Sequence, residues 1–163
     1  MVYGRARGRS WFAMQGLAHP EPTSLGDSLV EMERFLLDTV LAVAEKGESP
    51  VPILLLGLDQ GALLALSLAC VWPETVSGVA AIGGYLPEIP DWVPDDRPLH
   101  GMPVLLVHDP EYPEVSPALQ QKTEETLIAK GAQVTVRSVA RARQLHPPLA
   151  YLLNEWMEIV RSR

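Results

Sequence analysis

The run Ile53-Leu54-Leu55-Leu56 passes directly into Gly57-Leu58-Asp59-Gln60-Gly61, and then into an apolar stretch from Ala62 to Trp72 that Pro73 ends. A short unbroken apolar run reads as a strand buried on both faces. The longer stretch after it reads as a helix. Joining the two through a turn with glycine at both ends forces a tight, strained backbone. The residue at its centre is Asp59, and Asp tolerates positive φ better than most side chains. Strands alternating with helices predict a parallel sheet covered on both faces and connected by right-handed crossovers.

The rest of the chain repeats this alternation. Residues 1–24, which hold Arg5, Arg7 and Arg9, read as an irregular arm leading to Trp11-Phe12, pinned to the body. No aromatic pattern interleaves with those arginines, so they read as a solvated arm and not as a phosphate site. Ser24 to about Lys46 predicts a helix, because Leu29, Met32, Leu36, Val40 and Val43 recur at three- and four-residue steps. That stripe reads as a core face. Asp27, Glu31 and Glu33 are placed near the helix start, where its dipole favours anions, and Gly47 is the expected stop. Val76–Ile82 and Val104–Val107 predict two further strands, and Val115–Lys130 a helix stopped by Gly131. Gln133–Val139 predicts a fourth strand, and Pro147-Pro148 opens a last helix carrying Leu149, Leu152, Leu153, Trp156 and Ile159. In such sheets ligands sit at the carboxyl ends of the strands. One rim therefore gathers Asp59, the Gly83-Gly84 loop, the residues after His108 and those before His146.

A length of 163 residues predicts one domain, 1–163, and the loop from Leu86 to Met102 is too short to be a lid. A net charge of −7 gives no general attraction to nucleic acid or to an anionic membrane. The single cysteine, Cys70, excludes an intrachain disulfide and reads as an inert buried thiol. No apolar core follows the basic residues at the start, as a secretory signal requires. No apolar run reaches the ~18 residues of a membrane span. A cytoplasmic location is the expectation.

Gly57-Leu-Asp-Gln-Gly61, between strand and helix, has the context of a nucleophile elbow. The segment from Gly57 to Ala69, then Pro73-Glu-Thr-Val-Ser-Gly-Val79, then Gly84-Tyr-Leu-Pro87, resembles the small phospholipase/carboxylesterase family of α/β-hydrolases. These are lidless serine esterases and thioesterases with a G-F-S-Q-G elbow and a later S-G-x-L-P loop. Trp11-Phe12 resembles their W-F pair. Val104-Leu-Leu-Val-His108 resembles the strand ending in His-Gly before their acid, and Leu145-His146 their Gly-His. The resemblance implies a three-layer α/β-hydrolase fold without a lid, a shortened N-terminal side that omits the first strands, and no cofactor.

The chain departs from the family pattern at three places. Asp59 stands at the serine position, Tyr112 at the acid position, and the His-Gly-x-Gly oxyanion segment has no counterpart, since His100-Gly101 precedes a strand. Of the triad positions only His146 is kept. Asp59 is then a carboxylate nucleophile, as in haloalkane dehalogenases and epoxide hydrolases, or a helix cap, or part of a site that binds without turnover; the latter two are favoured. The Gln60 N–H is a candidate oxyanion donor, though one donor makes a poor hole. His146 is a general base, a partner for Asp59, or a remnant. Asp109, Glu111 and Glu114 are candidates to orient it. Ser67, Ser116, Trp72, Trp92 and Trp156 read as structural. Asp59, His108, Asp109 and His146 lack metal-ligand spacing, so no metal is expected.

Two functions follow. The favoured one is a degenerate hydrolase with weak or no esterase activity that acts as a binding or structural protein, with a small ester-like molecule as its candidate ligand. The alternative is a hydrolase using Asp59 as nucleophile and His146 as base on a small ester, epoxide or haloalkane. Without the first family strands, Ile53–Leu56 becomes an open sheet edge, which predicts a homodimer.

Overall fold

The computed structural model describes residues 10–16, 19–47, 52–88, 97–111 and 115–162. Arg5, Arg7, Arg9, Trp92, Tyr112 and Glu114 lie outside them. Four strands, β1 (Ile53–Leu58), β2 (Val76–Ile82), β3 (Pro103–His108) and β4 (Gln133–Ser138), form one sheet in the order β1-β2-β3-β4. All three pairings are parallel, with Leu56, Ala80, Leu105 and Thr135 in one row. The helices are α1 (Pro22–Glu45), α2 (Gln60–Val71), α3 (Pro117–Ala129) and α4 (Pro147–Arg161).

Period-two alternation divides the sheet between two cores. Val79, Ala81, Val104 and Leu106 face α2 and α3, meeting Ala65, Leu66 and Leu127. Ala80, Ile82, Leu105 and Val107 face α4, meeting Leu149, Leu153, Trp156 and Val160. The result is a three-layer arrangement, with helices on both faces of a parallel sheet. Helix α1 packs outside α2, where Leu25 and Leu29 meet Leu63, Leu64 and Leu68. Enclosed between the sheet and α1, α2 buries every residue from Ala62 to Cys70. A helix hydrophobic all round is the kind that is buried on all sides.

Several expectations change. Helix α1 starts at Pro22, not Ser24, and its cap is Glu21, whose carboxylate accepts from Thr23 N and Ser24 N. Asp27, Glu31 and Glu33 therefore lie beyond the first turn. The arm ends sooner, folded back by a Met14–Pro20 bridge. The stripe on α1 is core only as far as Leu36; the helix then outruns the body, leaving Val40 39% exposed. Strand β1 is not buried on both faces. Because it is the outermost strand, Leu56 is 60% exposed and only Gly57 in it is buried. Of the tryptophans read as packing, Trp156 is buried and Trp72 packs on the α1–α2 core, while in the arm Phe12 is buried and Trp11 is exposed.

The glycines explain the tight turn after β1. A Cβ on Gly57 would collide with the carbonyl of Gly61, and one on Gly84 would collide with Ala62. At Gly61 an added Cβ meets only Trp11 Nε1, at 3.7 Å. The second glycine that packing demands is thus Gly84, not Gly61.

Candidate active-site cleft at the elbow

Asp59 occupies the turn between β1 and α2 with φ 52° and ψ −116°. Its N–H extends the sheet, donating to Ile82 O at 2.9 Å, while its carbonyl accepts from Ala62 N and Leu63 N. The backbone is thus fixed from both sides, which holds a conformation that is costly for a non-glycine residue. Gly83, at φ 63°, lies beside it; a Cβ there would come within 3.2 Å of Asp59 Oδ1.

The Asp59 side chain makes no capping hydrogen bond, which corrects the reading of it as a helix cap. Its Oδ2 instead forms an ion pair with Arg143 Nη2. Arg143 sits on a single 3-10 turn, Ala142–Gln144, between β4 and α4. The residues flanking that turn, Arg141 and Leu145, are both left-handed, at φ 55° and 47°. Asp109 fixes the near end: its Oδ1 accepts from Arg141 N at 3.1 Å and from Glu111 N at 3.0 Å. Asp109 is buried and is spent on backbone, so it does not orient His146.

The residues gathered at this rim are Asp59, Gly83, His108, Asp109, Gln120 and Arg143, with Val115 closing one side. The open space among them is about 10 Å³, on the order of a single water position. His108 is held below the usual histidine range, first by burial, with Glu124 acting weakly the other way. Its Nδ1 is buried without a partner among the described residues. Gln120 donates to Val115 O at 3.0 Å.

His146 does not line the cleft. Its ring Nε2 is 2.6 Å from Ala140 O, so it carries the proton and donates. The side chain of Gln60, as distinct from the backbone N–H read as an oxyanion donor, holds the arm: its Oε1 accepts from Trp11 N at 3.1 Å and its Nε2 donates to Phe12 O at 3.3 Å. Gln60 thus helps to pin the arm, together with Ser24, which accepts from Ala13 N, and Ser28, which donates to Trp11 O. Ser67 is buried in α2 and Ser116 caps α3, both away from the turn. Arg143 and Gln120 are the rim residues that sequence reasoning missed. The signal for Arg143 was a basic pair, Arg141 and Arg143, in the segment leading to His146 on the ligand-bearing rim.

A sequence model of the phospholipase/carboxylesterase family matches residues 1–146. The Escherichia coli esterase YpfH is 26% identical over 133 residues, covering 82% of this chain and 54% of its own length. The chain thus spans about half of that relative. Among solved structures, the Bacillus cereus carboxylesterase superposes with a TM-score of 0.76 at 21% identity, over 91% of this chain and 68% of that one. A Mesorhizobium loti carboxylesterase gives 0.69 at 20% identity, over 93% and 69%. At these identities the structural likeness concerns the fold.

Proposed function

The chain belongs to the phospholipase/carboxylesterase family, and from that premise we propose that it is a member with weak or no esterase activity, its elbow carboxylate held by a cation instead of being offered to a substrate. The Asp59–Arg143 ion pair carries this reading. A carboxylate attacks carbon through an oxygen lone pair, and a guanidinium seated on that oxygen competes for it. The pair stands within the cleft, beside Gly83, His108 and Gln120. Releasing an ester formed on Asp59 would also need a base to activate water, and His146, whose Nε2 donates to Ala140 O, is not among the residues lining the cleft. A small ester-like ligand enters this cleft only when the pair opens.

A second reading has Asp59 as nucleophile and His146 as base on a small ester, epoxide or haloalkane. In its favour, Asp59 holds the positive-φ elbow conformation with its side chain 36% exposed. The deciding assay runs the purified protein beside Asp59→Ala on short-chain p-nitrophenyl esters, a thioester, a simple epoxide and a haloalkane. The first reading expects no difference between the two proteins on any substrate. Turnover lost with Asp59 supports the second and overturns the first.

A further inference from the structure

The guanidinium seated on Asp59 is carried by a strained turn. Arg143 lies in the 3-10 turn Ala142–Gln144, between two left-handed residues, Arg141 and Leu145. Non-glycine residues in that region make the turn costly to hold. Asp109 fastens its near end through Arg141 N, and at the far end Leu145 is exposed. The two side chains of the pair are themselves 24% and 36% exposed, so the pair can part without unfolding the chain. Charge then decides what takes the place of Arg143. Carboxylates outnumber cations among the residues lining the cleft, Asp59 and Asp109 against Arg143. His108, held below its usual range by burial, adds no charge near neutral pH. The chain as a whole carries a net charge of −7, a field that draws cations and repels anions. The Asp59 carboxylate is not spent on capping α2. Its Oδ2 meets Arg143, and its Oδ1 lies beside Gly83, whose lack of a side chain keeps that side clear.

We propose that the ligand of this cleft carries a small hydrogen-bonding cation, a guanidinium or a primary ammonium, which displaces Arg143 from Asp59. This rests on the reading that Arg143 holds the elbow carboxylate, and it names the chemistry that opens the pair. The resident guanidinium shows what the site accepts. A ligand guanidinium presents the same planar fork to both carboxylate oxygens, and a primary ammonium donates to them as a point charge. The space not already filled is about 10 Å³, on the order of one water position. The incoming head group therefore fits chiefly into the volume that the Arg143 guanidinium vacates, which sets its size. A ligand carboxylate would instead meet Asp59 and Asp109 as like charges. A small ester with an amino or guanidino group satisfies both this requirement and the ligand class proposed above.

The test is a titration of the full chain with n-butylguanidinium and with n-butylammonium at constant ionic strength, followed by the NMR shifts of the Asp59 and Gly83 amides. Tetramethylammonium, which donates no hydrogen bond, and butyrate, an anion, are the controls. Saturable shifts with the two donating cations, and none with the controls, are expected. Arg143→Ala removes the competing guanidinium and is expected to tighten binding about fivefold, the factor for a partly exposed ion pair that must open first. Adding Asp59→Asn keeps the shape, tolerates positive φ and removes the charge, and is expected to abolish binding. Circular dichroism verifies that both variants fold. No saturable shift in either protein, equal affinity with and without Arg143, binding that survives Asp59→Asn, or equal binding of tetramethylammonium or butyrate overturns the proposal. Failure of the underlying reading is seen in a separate assay, as ester turnover lost with Asp59→Ala.

Discussion

Arg143, carried on the turn after β4, crosses back over the carboxyl ends of the sheet to close an ion pair on Asp59, at the tip of β1. The two strands stand at opposite edges of the sheet, three strand spacings or roughly 14 Å apart. The contact thus ties the last loop to the elbow. Both side chains are partly exposed, so the pair stabilises the fold only modestly. Replacing Arg143 with Gln is expected to cost on the order of 1 kcal/mol in urea denaturation at low salt. The difference between the two proteins should shrink in high salt, where exposed charges are screened.

Asp109 holds the start of the turn that presents Arg143. Asp109→Ala leaves the N–H groups of Glu111 and Arg141 without their acceptor, at a cost of about 1–3 kcal/mol. It also releases Arg143. Stability measured on Asp109→Ala, Arg143→Gln and their double variant should be non-additive, because the two residues act on one turn.

Gly57 and Gly61 look equivalent in a G-x-x-x-G pattern and differ in the structure. Gly57→Ala drives a Cβ into the Gly61 carbonyl, and is expected to destabilise by several kcal/mol or abolish folding. Gly61→Ala adds a methyl at ordinary contact distance inside a helix. It is expected to be neutral or to stabilise by about 0.5–1 kcal/mol. Thermal denaturation of the two variants checks this.

His108 is kept below its ordinary pKa chiefly by burial. The unfolded chain therefore binds this proton more readily than the folded one, and the linkage sign follows. The contribution of His108 to stability is complete above about pH 6.5, the unfolded value. It is lost as pH falls from there toward the lower folded pKa. His108→Gln should flatten that part of the stability–pH curve, and an NMR titration should place the His108 midpoint below that of a free histidine.

Most of the fold was legible in the chain. Short apolar-rich runs marked β1, β2 and β3, Pro73 and Gly131 marked helix ends, and the G-x-x-x-G context marked the strained turn at Asp59. What was not legible depended on contacts between distant segments. Whether Asp59 meets His146 or Arg143 is decided by two left-handed residues, Arg141 and Leu145, that set how the last loop turns. Nothing in their residue types announces positive φ. The reach of α1 past the body was hidden for a related reason: the period of Leu36, Val40 and Val43 shows that a helix has an apolar stripe, not how far its neighbour extends beneath it.

The central claim is that Arg143 withholds the elbow carboxylate from chemistry. The most direct measurement is the rate of p-nitrophenyl butyrate hydrolysis by the natural protein and by Asp59→Ala, with circular dichroism confirming that both are folded. Equal rates for the two proteins, at or only slightly above the level of buffer, are the predicted result. A natural-protein rate well above buffer that falls to buffer with Asp59→Ala would contradict the claim and make Asp59 the nucleophile of a working enzyme.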